Sequence, residues 1–149
     1  MNQLQLDELK KFFNNISHGE QSNSYIVPAK DLFAFTQYLR DTVDLTFDYL
    51  KSITAVDYNE NVEVVYELYS LKLNISITLK VALSPGDLKC DSVSSIWAAA
   101  DWYKREVYDM FGVQFNGHPN MKRILLEDGW VGYPLRKNYQ NKDMVKKPV

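Results

Sequence analysis

From residue 71 to 83 every second position is apolar: Leu71, Leu73, Ile75, Ile77, Leu79, Val81 and Leu83 alternate with Lys72, Asn74, Ser76, Thr78, Lys80 and Ala82. A period of two sends alternate side chains to opposite faces of a strand, so one face must enter a core while the other meets water. Residues 62–70, rich in β-branched and aromatic side chains, form a second strand directly before it. Strands joined by so short a turn pair antiparallel, because a parallel pair needs a long crossover.

The other elements follow from spacing. Leu6, Leu9, Phe13 and Ile16 predict a short amphipathic helix over 5–16, and Leu32, Phe35, Tyr38 and Leu39 a second over 29–41. Tyr25-Ile26-Val27 is a short strand closed by Pro28, and another strand runs near 46–56. Residues 57–61 read as a turn. A third helix is predicted from Ser94 to Phe111, with Asp91 or Ser92 as its N-cap and Gly112 just past its end. Helices on one face of a mixed, largely antiparallel sheet give a two-layer α+β domain over residues 1–112.

After Gly112 the periodicity stops. Residues 113–149 carry Gly117, Pro119, Gly129, Gly132, Pro134 and Pro148, yet keep Phe115, Ile124, Leu125, Leu126, Trp130, Tyr133, Leu135 and Tyr139. A solvated linker has no use for so many large apolar groups. The segment therefore predicts an extended C-terminal arm that packs on something, with a neighbouring subunit as the natural surface.

Composition narrows the function. The chain has 149 residues, enough for one domain with a core that needs no disulfides. Its net charge of −2 gives no global footprint for nucleic acid. The charge is uneven: residues 1–70 hold 5 basic and 11 acidic groups, residues 121–149 hold 7 and 3. A basic end after an acidic body suits an acidic partner, or is a solvated terminus. The single cysteine, Cys90, cannot close an internal disulfide or hold an iron–sulfur cluster, which usually takes four thiolates. The start Met1-Asn2-Gln3-Leu4-Gln5-Leu6-Asp7-Glu8 lacks a signal peptide's basic region and apolar core, and no apolar run reaches the ~20 residues of a membrane span. The expectation is a cytoplasmic protein that meets a membrane only through partners.

No catalytic constellation emerges. His18 and His118 stand in no metal-binding spacing, and His118, before Pro119, suits a turn better than a metal. Gly129-Trp130-Val131-Gly132 does not join a strand to a helix as a phosphate loop does. On the third helix Asp101, Arg105 and Asp109, four residues apart, can form a ladder of ion pairs; alternatively Arg105, Glu106 and Asp109 anchor the arm or a partner. Lys122-Arg123 and Arg136-Lys137 are basic pairs among aromatics, with acidic groups on a partner, or Glu127 and Asp128 nearby, as counter-charges.

The stretch 102–139 resembles the signature of the 30-kDa subunit family (the C subunit) of respiratory complex I, the NADH:quinone oxidoreductase. That pattern runs Glu-Arg-Glu, two residues, Asp-Met-Phe-Gly, then Phe-x-Gly-His-Pro, Arg-Arg-Ile-Leu, Asp-x-Trp and Pro-Leu-Arg-Lys-Asp-Tyr-Pro. Arg105, Glu106, Asp109, Met110, Phe111, Gly112, Phe115, Gly117, His118, Pro119, Arg123, Ile124, Leu125, Trp130, Pro134, Leu135, Arg136, Lys137 and Tyr139 match it. Lys104 stands where Glu is usual, Lys122 where Arg is common, Asn138 for Asp and Gln140 for Pro. The resemblance implies a cofactor-free scaffold in the quinone module of the peripheral arm, packed on the D, B and I subunits of complex I, with FMN and iron–sulfur clusters held elsewhere in the complex. The alternative it leaves is the matching subunit of a membrane-bound hydrogenase or of a ferredoxin- or F420-dependent relative.

Overall fold

The alternating run forms one arm of a long hairpin. In the computed structural model, which describes residues 13–21 and 23–141, strands β4 (Val62–Ser70) and β5 (Ile75–Leu83) pair antiparallel from Val62↔Leu83 to Ser70↔Ile75. Alternation is kept through 71–74, but these residues are the turn. Asn74 takes φ +54, Tyr69 donates its phenol to the Asn74 side chain, and the Leu73 N–H donates to Ser70 Oγ at 3.2 Å. A hairpin between abutting strands has to take its loop from one of them, and here the start of the alternating run yields.

Strand β3 (Tyr49–Asp57) pairs antiparallel with β4, while β2 (Ser24–Ile26) lies parallel to β5 and β1 (Ser17–His18) antiparallel to β2. The sheet order is β1-β2-β5-β4-β3, mixed and largely antiparallel as predicted. The strand expected from residue 46 begins only at Tyr49. Residues 46 and 47 fold back on the preceding helix, where Thr46 and Phe47 N–H donate to Thr42 and Leu39 carbonyls at 2.9 and 3.0 Å.

Helix α1 (Leu32–Asp41) follows a 3-10 turn at Ala29–Asp31, within the span predicted from spacing. Residues 13–16 are not helical, and the rest of the predicted 5–16 helix lies outside the described residues. Helix α2 (Ala100–Phe111) starts six residues later than Ser94. Residues 94–99 make turns in which Ile96 and Trp97 N–H share the Val93 carbonyl at 3.0 Å. Ser92 Oγ accepts from Ser94 N–H at 3.2 Å, so it caps that turn rather than the helix, and Asp91 lies in a strand.

That strand, β6 (Lys89–Asp91), pairs parallel with β7 (Gln114–Asn116), so α2 is the crossover between them. Both three-residue strands are too short for periodicity to reveal, and β7 lies beyond Gly112. Inward side chains Val62, Val64, Tyr66 and Leu68 of β4 and Ile77, Leu79, Val81 and Leu83 of β5 form one core with Leu32, Phe35 and Leu39 of α1 and Ala100, Val107 and Phe111 of α2. Tyr103 of α2 donates to the Lys51 carbonyl at 2.9 Å, where β3 bulges between Leu50 and Ser52.

Candidate functional site: the anchored arm

Residues 117–141 contain no helix or strand, so their backbone groups need other partners. Two buried carboxylates supply several. Asp109, on the last turn of α2, is fully buried. Its Oδ2 accepts three successive backbone N–H groups, from Ile124 at 3.0 Å, Leu125 at 2.8 Å and Leu126 at 2.9 Å. Its Oδ1 takes the Arg123 guanidinium at 2.6 Å. Burial alone pushes this carboxyl's pKa up; the bonds from Leu126, Arg123, Leu125 and Ile124 outweigh it and hold the pKa below the usual carboxylate range.

Arg123 is the hub of the arm's first loop. Nη1 also reaches the Asp109 carbonyl at 3.1 Å, and Nη2 donates to the Trp130 and Gly132 carbonyls at 3.0 and 3.1 Å. Its guanidinium lies 5.3 Å from the Tyr133 ring centre. Arg105 donates to the carbonyls of Lys122 and Arg123, both at 3.2 Å, and stacks on Trp102. The ladder expected along α2 is therefore absent: Arg105 and Asp109 both turn to the arm. Asp101 meets His118, whose Nε2 lies 3.2 Å from Oδ1 and whose Nδ1 accepts the Asn120 N–H at 3.2 Å. The His118 side chain is buried and serves the turn, with Pro119 exposed after it.

The second anchor is Asp57, at the end of β3. Oδ2 accepts Arg136 Nε at 2.8 Å and Lys137 N–H at 3.0 Å, and Oδ1 accepts Asn59 N–H at 2.9 Å. Burial raises its pKa, and the bonds from Lys137, Asn59 and Arg136 bring it below the ordinary value. Leu135 N–H donates to the Met110 carbonyl at 3.1 Å, and Arg136 also reaches the Phe111 carbonyl at 3.5 Å. The arm thus caps the C-terminal end of α2, where carbonyls lack helical partners and a cation is favoured. The basic residues do not pair with Glu127 or Asp128, which are exposed. The counter-charges sit far back in the sequence.

Glycines and rings interlock here. Gly112 has φ +79, and a Cβ on it would lie 2.6 Å from the Tyr133 ring. Gly132 has φ +87, with the Tyr139 ring 2.8 Å from the same point. Trp130 and Pro134 are half-buried, while the Lys137 side chain is exposed. Glu106 is exposed, and its side chain makes no hydrogen bond or ion pair with the described residues.

Tied down this way, the arm still leaves apolar groups in water: Leu125 is 64% exposed, Val131 86% and Leu135 55%, and Trp102 on α2 61%. Sequence reasoning missed Asp57, placed in a turn, although Ile53, Ala55 and Asp57 share inward parity. It missed that Lys104 is buried, although Ala100, Lys104, Val107 and Phe111 form one helical stripe. Among the described residues no cluster of three His, Cys, Asp or Glu is placed to hold a metal, and no helix is long and apolar enough to cross a membrane.

The family described as "Respiratory-chain NADH dehydrogenase, 30 Kd subunit" matches residues 25–145. The chain belongs to this family. It is 43% identical over 116 residues to the C subunit of NADH-quinone oxidoreductase from Citrifermentans bemidjiense, covering 76% of this chain and 71% of that relative. Against another such C subunit, from Chloroherpeton thalassium, the match covers only 45% of the relative's length. The C/D subunit of NADH-quinone oxidoreductase from Methylococcus capsulatus is 39% identical over 123 residues, 76% of this chain and 21% of that longer protein. The fold is similar to the trypsin-resistant fragment of Nqo5, with TM-score 0.65 and 25% identity over 78% of this chain and 96% of that one. It is also similar to a chain of the membrane-bound sulfane sulfur reductase, an archaeal respiratory membrane complex, with TM-score 0.77 and 26% identity over 92% of this chain and 84% of that one.

Proposed function

We propose that this chain is a cofactor-free docking subunit in the peripheral arm of a proton-translocating NADH:quinone oxidoreductase. The observation that carries the reading is an arm fixed on its own domain by Asp109 and Asp57 while Leu125, Val131 and Leu135 point outward. Exposed apolar side chains on a rigid support are what an interface needs, since docking then costs little ordering. Relatives named as the C subunit, and others named C/D, support a partner of the D kind; the proposal adds the B and I subunits as further neighbours. In this role Arg105, Asp109, Arg123 and Arg136 shape the arm, and Glu106, Trp102 and Lys137 meet the partners. The chain holds no FMN, iron–sulfur cluster or quinone, and it joins the cytoplasmic side of the membrane through those partners.

A second reading keeps the docking role and changes the machine. The likeness to a chain of the sulfane sulfur reductase complex favours it, as a relative that serves another electron donor or acceptor. A tagged copy recovered from gently solubilised native membranes separates the two. Co-recovery of NADH-oxidising proteins and of the D-type partner is expected; hydrogenase-type or sulfur-reducing partners would give the second reading, and recovery of the tagged chain alone would overturn both.

A further inference from the structure

Asp57 and Asp109 are buried against cationic and N–H partners, whereas Lys104 is buried without a carboxylate on it. It is wholly inaccessible and makes no ion pair among the described residues. Its Nζ donates to the Asp91 carbonyl of β6 at 3.2 Å, and lies 4.6 Å from the Phe115 ring centre of β7 and 5.7 Å from that of Tyr66 on β4. One amine therefore ties α2 to β6, β7 and the main sheet.

Its surroundings are short of negative charge. From β4 comes the Tyr66 phenol, 3.8 Å from the Cys90 thiol of β6. Burial pushes Cys90 up to about 11 and Tyr66 well above its ordinary value, so both are neutral at physiological pH. Phe115 of β7 brings only a ring. The Asp91 carboxylate lies near, but is turned to Asn116 Nδ2 at 3.4 Å. Burial lowers the Lys104 amine to about 7, against weaker upward pulls from Cys90 and Asp91.

A neutral amine suits this site: one N–H meets the carbonyl and the stem packs on rings. An ammonium is drawn to the two ring faces, but it brings three N–H groups to one oxygen acceptor and has no carboxylate on it to offset the loss of water. Water reaching Nζ relieves the charge, and the β6–β7 ribbon, with three residues in each strand, is a short element that covers it. The ribbon leads directly into the arm, with His118 two residues past β7.

We propose that Lys104 is a proton-operated latch on the root of the arm: as the free amine it closes the β6–β7 ribbon onto α2 and β4, and as the ammonium it lets the ribbon open. The device belongs to the folded chain itself and goes beyond partner docking, so either can fail without the other. The test uses the full chain with 13C,15N-labelled lysine, titrated by NMR from pH 5.5 to 9.5, with amide exchange of Ser92 and Gln114 corrected for intrinsic rates. A Lys104 midpoint near 7 is expected. Protection of those amides should fall about tenfold from pH 8 to pH 6, and Lys104→Met should remove that dependence. A midpoint with the ordinary lysines, near ~10.4, or an unchanged exchange profile in Lys104→Met, overturns the latch. The titration needs no variant, so it decides even where Lys104→Met does not fold.

Discussion

Asp109 accepts four hydrogen-bonded groups from the arm, so replacing it tests how the arm is held. Asp109→Asn removes the charge and leaves Arg123 partly buried without its partner, which should lower stability by ~3–5 kcal/mol in urea unfolding. The pH dependence has a definite sign. The folded pKa values of Asp57 and Asp109 lie below the ordinary value, so their stabilisation is present above the unfolded pKa of ~3.9 and is lost as pH falls through the folded ones. Unfolding midpoints should therefore drop steeply in acid for the wild type, and less steeply in Asp109→Asn. Lys104 contributes with the same sign of slope, but at higher pH. Its folded value of about 7 lies below the unfolded one, so stability rises with pH above neutrality. The slope is at most ~1.4 kcal/mol per unit, until Cys90 begins to offset it. Arg136→Ala breaks the Asp57 anchor and should destabilise the isolated chain as well as assembly. Glu106→Ala removes no bond within the described residues and should change stability by no more than ~0.5 kcal/mol, showing itself only as a lower yield of assembled complex. A destabilised Glu106→Ala chain would contradict that division.

The elements that hold the arm are the end of α2 and the end of β3. Gly112 closes α2 in the left-handed region with Tyr133 packed against its Cα. Gly112→Ala should cost more than ~1 kcal/mol and loosen the arm, seen as faster amide exchange at residues 124–126. Gly86→Ala, with nothing within 4 Å of the added carbon, is the matched control and should leave the midpoint unchanged. At this scale the sequence is a good guide wherever a period runs long enough. β4, β5 and α1 were legible because alternation or helical spacing persists through them. Residues 71–74 kept the strand pattern and became a turn, since alternation does not say where a hairpin bends. β6 and β7 were illegible because three residues carry no period. Helix α2 starts late because the Ala100 and Asp101 N–H groups bond three residues back, to the Trp97 and Ala98 carbonyls, so the four-residue ladder does not run through from Ser94.

For the molecule as a whole, the arm's large apolar residues pointed to packing, and much of that packing is internal: of those named from the sequence, only Leu125 and Leu135 are exposed. Arg123 and Arg136 lie among arm residues, but their carboxylates are 14 and 79 positions away, and no local pattern relates them. The resemblance marked these residues without saying what they touch. The geometry gives a domain that orders its own arm and leaves Leu125, Val131 and Leu135 exposed. The direct test changes only the outward side chains. Leu125→Ser with Leu135→Ser, tagged and expressed in the native host, should unfold at the wild-type urea concentration yet lose the NADH-quinone oxidoreductase partners that the wild-type chain recovers from solubilised membranes. Recovery of the same partners at the wild-type yield would contradict the docking role of the arm.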